Sequence, residues 1–200
     1  MTDKNKPRVI ILENDESILK QASQVLSKTG WEVFEETRSI DALTRLENHP
    51  KKLFALFITN SKLPKMEGDA ILEKVKTISP ITQRMIMLPP DDPDILIKAI
   101  NKARVNASIT LPFESQDLAG LAGNCFQRFR HELKKAQLKR ITEHQNAQMF
   151  KAAQKLKKKD RQYSRIITEK KARLLNLKAK EQKVTRRRQL EKDITLNDLI

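Results

Sequence analysis

The sequence has a single cysteine, Cys125, so an internal disulfide bond is excluded. With no cluster of His and Cys residues beside it, we predict no metal site, and a buried helical thiol is the simplest interpretation. No apolar run approaches the ~18 residues that a membrane span needs, and residues 1–7 do not have the form of a secretory signal. These absences predict a cytoplasmic protein without a cofactor.

Helix-breaking residues are missing from the last third of the chain. All eight prolines lie at or before Pro112, and all four glycines lie at or before Gly123. Residues 128–200 contain 23 Lys and Arg against 8 Asp and Glu, whereas residues 1–127 contain 17 of each. The whole formal net charge of +15 therefore lies in a segment whose Lys, Gln, Ala, Leu and Arg content predicts a helix.

The first 127 residues alternate short apolar runs with amphipathic segments. The runs predict strands at 9–12, 31–34, 53–59, 85–88 and 107–111, and the segments between them predict helices at 17–29, 40–46, 71–78 and from Pro93 onward. Asp92 is the expected N-cap of the last of these helices, with a buried stripe of Ile95, Leu96, Ala99, Ile100 and Ala103. This alternation predicts an α/β fold of the flavodoxin-like (βα)5 type, a doubly wound parallel sheet with any site at the C-terminal ends of its strands.

Three short motifs follow predicted strands at these ends. Glu13-Asn14 follows the first strand, Asn60…Pro64…Gly68 follows the third, and Leu111-Pro112-Phe113 starts at the last residue of the fifth. In order and spacing they resemble the receiver domains of two-component response regulators, over about residues 8–127. The resemblance implies an aspartate that accepts a phosphoryl group from a histidine kinase, an acidic pair that holds Mg²⁺, and a cis bond between Leu111 and Pro112.

The positions that align with the working residues of receiver domains have mostly changed type. Asn60 stands where the phosphoaccepting aspartate is expected, and a neutral carboxamide is not a useful nucleophile toward phosphorus at pH 7. The acidic pair is reduced to one acid, whether it is aligned as Glu13-Asn14 or, one residue later, as Asn14-Asp15, and Mg²⁺ normally needs one or two carboxylates together with phosphate oxygens. At three further positions the resemblance implies a Thr or Ser hydroxyl, a lysine and an aromatic that rotates on activation. The sequence instead has Pro89, Leu111 and Ser108 there. We therefore predict a pseudo-receiver that is not an enzyme, with a degenerate pocket formed by Glu13, Asn14, Asn60, Pro89, Ser108 and Leu111.

The final helix is predicted to begin near Ser115, as its N-cap, and to run to about Lys192. One heptad phase holds from residue 149, and eight of its eleven core positions are apolar or aromatic, which favours a dimeric coiled coil. The first core slot reads Met149, Leu156, Tyr163, Lys170, Leu177 and Val184, and the second reads Ala153, Asp160, Ile167, Leu174 and Glu181. Residues 138–148 fit the phase poorly, which predicts a break or register shift there.

The basic helix offers two interpretations of its charge. It is either a solvated face of the coil or a surface for a polyanion, that is, nucleic acid, anionic lipid or an acidic protein. The expected contacts are Lys157, Lys158, Lys159, Arg186, Arg187 and Arg188. The last residues, 193–200, are acidic and apolar, which predicts a frayed end or a short docking peptide. The expected division of the chain is thus 1–127, 128–192 and 193–200.

These features lead to three hypotheses about function. The first is a non-catalytic signalling adaptor in a phosphorelay-derived pathway, whose head binds a signalling protein (a kinase or another pathway component) and whose coil forms a homodimer. The alternative is a regulator that associates with nucleic acid or an anionic surface through the basic helix. A phosphoaccepting response regulator is the third, and only the family resemblance favours it.

Overall fold

The computed structural model describes residues 6–48, 53–64, 66–90 and 93–197, and it divides into two compact units, one up to Leu138 and the other from Lys139. In chain order the elements are β1 (Arg8–Leu12), α1 (Glu16–Lys28), β2 (Glu32–Glu36), α2 (Ser39–Glu47), β3 (Leu56–Asn60), α3 (Gly68–Ile78), β4 (Gln83–Leu88), α4 (Pro93–Lys98), a π turn (Ala99–Ala103), β5 (Ala107–Thr110) and α5 (Ser115–Asn197). No described helix is both long and apolar enough to cross a bilayer.

The five strands form one parallel sheet in the order β2-β1-β3-β4-β5. This order confirms the predicted flavodoxin-like fold, and the long helix that follows it is confirmed as well. Leu12 pairs with Thr59 and Asn60 pairs with Met87, so the C-terminal ends of β1, β3 and β4 meet at one edge. The residues that follow these strands therefore lie close together.

The sheet is covered by helices on both faces, which explains its continuous apolar strands. Every residue of β1 and β4 is buried, as expected for strands that have no solvent-exposed face. Because side chains alternate along a strand, Val9 and Ile11 pack with α1 and α5, whereas Ile10 and Leu12 pack with α2, α3 and the π turn. Two hydrophobic layers thus hold the β1 terminus in place.

The first turns of α5 belong to the core of this unit. Leu118, Ala122, Cys125 and Phe129 recur every three or four residues and are all buried in the layer shared with α1. Trp31 meets Phe126 edge to face, with 5.7 Å between the ring centroids. This packing anchors α5 to the sheet.

Several predicted boundaries are corrected by the backbone. β2 covers Glu32–Glu36 rather than 31–34, because the Trp31 N–H donates to the Leu26 carbonyl in the turn that closes α1. Ser115 is the first residue of α5 and not its cap, since the carbonyl of Glu114 accepts the first helical bond. Of the break or register shift expected at 138–148, the break does not occur, and α5 runs beyond 192 to Asn197.

The fourth helix departs most from its prediction. After Lys98 the chain makes a π turn that ends at Arg104, whose φ of 50° is left-handed. A π turn takes an extra residue, so Ala99 and Ala103 are buried one above the other while Ile100 is 51% exposed instead of joining the buried stripe. The expected cap, Asp92, lies outside the described residues.

Cys125 gives a test of α5 docking. Burial raises the pKa of its thiol to about 11, and the thiolate is the reactive form. At pH 8 we expect native protein to react with iodoacetamide at least about 100-fold more slowly than protein unfolded in guanidinium, because a free thiol has a pKa of about 8.5. The native rate should keep rising with pH up to about 11. A native rate equal to the unfolded rate would show that α5 leaves the sheet.

Candidate functional site

The candidate site lies where β1 and β3 end. Glu13 directly follows β1 and its side chain is fully buried, whereas Asn60 is the last residue of β3 and is half-buried. The Asn60 amide nitrogen donates a hydrogen bond of 2.8 Å to Oε2 of Glu13. This bond joins the two strand ends through side chains that are 47 residues apart in the chain.

The Glu13 carboxylate is satisfied entirely by N–H donors that the structure itself supplies. Its Oε1 accepts from the backbone N–H groups of Asn14, at 2.8 Å, and Asp15, at 2.9 Å, and its Oε2 accepts from Asn60. A buried carboxylate is costly unless it is hydrogen-bonded in this way. Asn14 contributes its backbone N–H, and its side chain is exposed.

Asp15, the acid two residues after Glu13, is already engaged in capping a helix. Oδ1 of Asp15 accepts from the backbone N–H groups of Ser17, at 2.8 Å, and Ile18, at 3.1 Å, and so caps α1. The sequence indicated Asp15 only as a member of a shifted acidic pair. Its position just before α1 is the signal that indicates an N-cap.

The loop after β3 closes tightly over Asn60. Oδ1 of Asn60 accepts from the backbone N–H of Lys62 at 3.1 Å, and the N–H of Gly68 donates to the Ser61 carbonyl at 2.9 Å. A Cβ atom at Gly68 would lie well inside van der Waals distance of the Asn60 carbonyl oxygen. Gly68 is therefore required because the start of α3 approaches the end of β3 directly.

A pocket of about 370 Å³ opens beside Asn60, and its walls are mainly apolar. Three of the predicted residues line it, namely Asn60, Pro89 and Leu111, together with Ile18, Gln21, Lys62, Pro90, Pro112 and Phe113. The bond between Leu111 and Pro112 is cis, as the resemblance implied. Ser108 is not brought into this pocket, because it lines a separate depression between β5 and α5.

The donor set at this edge does not fit a divalent cation. Mg²⁺ binds through oxygen lone pairs, and here the amide N–H of Asn60 points at the Glu13 oxygen that would have to face the ion. Both other donors to Glu13 are backbone N–H groups, and Asp15 is turned toward α1. In the described ranges, no three His, Cys, Asp or Glu side chains form a group that could hold a metal.

The predicted coil residues are all solvent-exposed in the single chain. Leu156 is 63% exposed, Tyr163 60%, and Leu174 and Leu177 each 56%; Met149, Ile167 and Val184 are also exposed. The predicted basic contacts Lys157, Lys158, Lys159, Arg186 and Arg187 are exposed as well. The side chain of Arg188 and the residues from 198 lie outside the described part of the structure.

Comparison with known proteins identifies the fold of the first unit. No protein-family model matches the sequence, and no curated protein matches it. Among solved structures, it is similar to the signal receiver domain of an HD domain-containing protein from Pseudomonas fluorescens Pf-5, with 22% identity, coverage of 67% of this chain and 96% of that one, and a TM-score of 0.61.

Two further receiver structures match over the same unit. A response regulator receiver domain from Clostridium thermocellum is 24% identical, with 62% of this chain and 97% of that one covered and a TM-score of 0.58. A CheY-like receiver domain from Methanospirillum hungatei JF-1 is 25% identical, with 64% and 99% covered and the same TM-score. The first unit therefore has the response-regulator receiver fold, and at these identities the similarity establishes the fold alone.

Exchanging Asn60 for aspartate tests the hydrogen bond at the strand ends. Asn60→Asp removes the donated N–H and sets a second carboxylate against Glu13, so we expect the free energy of unfolding to fall by about 2–4 kcal/mol in EDTA at pH 7. Millimolar Mg²⁺ should restore part of the loss, because a cation relieves repulsion between facing carboxylates. Urea unfolding with and without Mg²⁺ measures both effects.

Asn60→Ala is the matched control for this experiment. It removes the donor without adding charge, so we expect a loss of about 1–3 kcal/mol that Mg²⁺ does not restore. The unsubstituted protein should be equally stable with and without Mg²⁺. Stabilisation of that protein by Mg²⁺ to the same degree as Asn60→Asp would contradict the donor assignment.

Proposed function

We propose that this chain is a non-catalytic signalling adaptor. Its receiver-like head binds a signalling protein without accepting a phosphoryl group, and its helical segment forms a homodimer. The observation that carries the proposal is the hydrogen bond from Asn60 to Glu13, which occupies the carboxylate with an amide N–H.

Phosphotransfer would need three things that this edge does not offer. A nucleophilic carboxylate is replaced by the amide of Asn60, which is itself held at both ends by Glu13 and the Lys62 N–H. A cation would have to displace three N–H donors from Glu13. Donors for the phosphoryl oxygens are replaced by the apolar walls of Pro89 and Leu111. These three features support a role in binding rather than chemistry.

A head without this chemistry has no phosphorylation-dependent switch at this edge. The hydrogen bond between its strand ends holds this edge in one arrangement. We therefore infer that the head binds its partner constitutively, without a phosphorylation step. The partner class proposed is a signalling protein, a kinase or another component of a two-component-like pathway. Any regulation would then come from the amount of adaptor or from its assembly.

Phosphodonor treatment tests the absence of phosphotransfer. After incubation with acetyl phosphate and Mg²⁺, we expect the intact mass of the protein to remain that of the unmodified chain, because Asn60 offers no nucleophile. The Asn60→Asp variant is the informative comparison, and we expect little stable adduct there too, since Pro89 and Leu111 cannot hold the phosphoryl oxygens. An acid-labile adduct of one phosphoryl group on the unsubstituted protein would refute the adaptor proposal in favour of a phosphoaccepting regulator.

The second unit carries the features that support dimerisation. Residues 139–197 form one uninterrupted helix of roughly 90 Å. Its heptad positions Leu156, Leu174 and Leu177 are more than half exposed, although large apolar side chains are normally buried. A partner helix that covers the heptad slots is the arrangement that would bury them.

Two adjacent leucines provide a matched test of the coil. Leu174 occupies a core slot, whereas Leu175 is 67% exposed and lies outside the slots in this phase. We expect Leu174→Asp to shift the mass measured by light scattering from about twice 23.1 kDa toward 23.1 kDa and Leu175→Asp to leave it unchanged, because only the first buries a charge in the interface. Equal dissociation by both variants would contradict the heptad phase, and a monomeric unsubstituted protein would contradict the dimer.

A further inference from the structure

One face of α5 carries an uninterrupted basic surface. At about 100° per residue, seven positions between residues 151 and 165 lie within about 60° of the direction of Lys158. They are Lys151, Gln154, Lys155, Lys158, Arg161, Gln162 and Arg165, and all are exposed. We call these seven residues the basic face. It contains five cationic side chains, two amides and no acid.

The basic face points away from the heptad slots. Met149, Leu156 and Ile167 lie between about 160° and 180° from Lys158 around the helix. Asp160, the single acid between Glu143 and Glu169, lies on the slot side as well. A partner helix that covers the slots would therefore leave the basic face in solvent.

The consecutive basic residues do not form one surface. Lys157 and Lys159 project about 100° to either side of Lys158, so the three cannot contact one linear ligand together. The helical arrangement instead selects residues three, four and seven positions apart. The cations that share one surface are therefore spaced along the helix and are not the three consecutive lysines.

We propose that the basic face binds the phosphate backbone of duplex nucleic acid, an activity that goes beyond the proposed adaptor function. The face is about 21 Å long, at 1.5 Å per residue, and duplex DNA carries one negative charge per about 1.7 Å of its axis. The row of cations on the basic face is therefore complementary to the row of phosphate charges along the duplex. The side-chain amides of Gln154 and Gln162 add neutral N–H groups that can donate hydrogen bonds to phosphate oxygens.

The same helix is poorly suited to a membrane surface. A helix that lies in a bilayer interface buries a strongly apolar side opposite its basic side. Opposite the basic face, Asp160 and the small residue Ala153 interrupt the apolar residues of the slot side, and this side is the one proposed for the coil. Nucleic acid needs only the basic face and leaves the slot side to its partner helix.

Salt-dependent binding of the full-length protein to DNA tests the proposal. With a labelled 30-base-pair duplex and fluorescence anisotropy, we expect a Kd of about 10⁻⁴–10⁻⁶ M near physiological salt. Five phosphate contacts predict a slope of log K against log salt of about −4.5, which weakens binding roughly 500-fold between 50 and 200 mM KCl. A second duplex of unrelated sequence should bind equally, because phosphate contacts carry no sequence information.

Two triple charge reversals separate the face from general charge. Lys158→Glu, Arg161→Glu and Arg165→Glu together should reduce the slope by about 2.7. Lys157→Glu, Lys159→Glu and Lys171→Glu lower the net charge equally but lie off the face, so we expect the slope to change by less than about one. Circular dichroism and light scattering confirm that both triples keep the helix content and mass of the unsubstituted protein.

Three outcomes would overturn the proposal. They are an equal loss of slope in both triples, no DNA binding at 50 mM KCl, and binding to phosphatidylserine vesicles that competes with DNA and exceeds it in affinity. The proposed adaptor function would survive all three, because it depends on Asn60 and on the heptad slots.

Discussion

The hydrogen bond between Asn60 and Glu13 is the constraint on which the site depends. It ties the ends of two central strands together and satisfies a fully buried carboxylate. The remaining donors to Glu13 come from the first turn after β1, where Asp15 then caps α1. One amide thus supplies the third donor where the receiver resemblance implies the phosphoaccepting aspartate. Loss of that donor would leave a buried charge incompletely paired, which is more costly than losing an ordinary surface contact.

The apolar character of the neighbouring pocket is consistent with this arrangement. Pro89 and Leu111 line it after β4 and β5, so the edge combines a hydrogen-bonded carboxylate with walls that are mainly apolar. Gly68 completes the edge by allowing α3 to start directly against Asn60. The first unit has the receiver fold, and a fold of this kind does not by itself fix the chemistry at its edge.

The second unit presents two surfaces of opposite character on one helix. Most of its heptad slots hold exposed apolar side chains, whereas the basic face on the opposite side holds exposed cations and amides. The proposed dimer and the proposed nucleic-acid contact use different sides of the helix, because an α-helix separates residues that are neighbours in sequence by about 100°. The exposure of Leu156 and Leu174 in the single chain supports the proposed dimer, and the absence of helix breakers after Gly123 explains the length of the helix.

Much of the architecture was determined by the sequence alone, because it depends on local periodicity. Alternating apolar runs and amphipathic segments predicted the parallel sheet, and the resemblance of Asn60, Pro64 and Gly68 to a receiver motif implied the loop after β3. The contacts between distant residues were decided only by tertiary structure. The pairing of Asn60 with Glu13, the role of Asp15 as a cap, the separation of Ser108 from the pocket and the π turn that exposes Ile100 all depend on how strands and helices approach one another. Hydrophobic periodicity carries no information on these approaches, since they are set by packing between elements that are far apart in the chain.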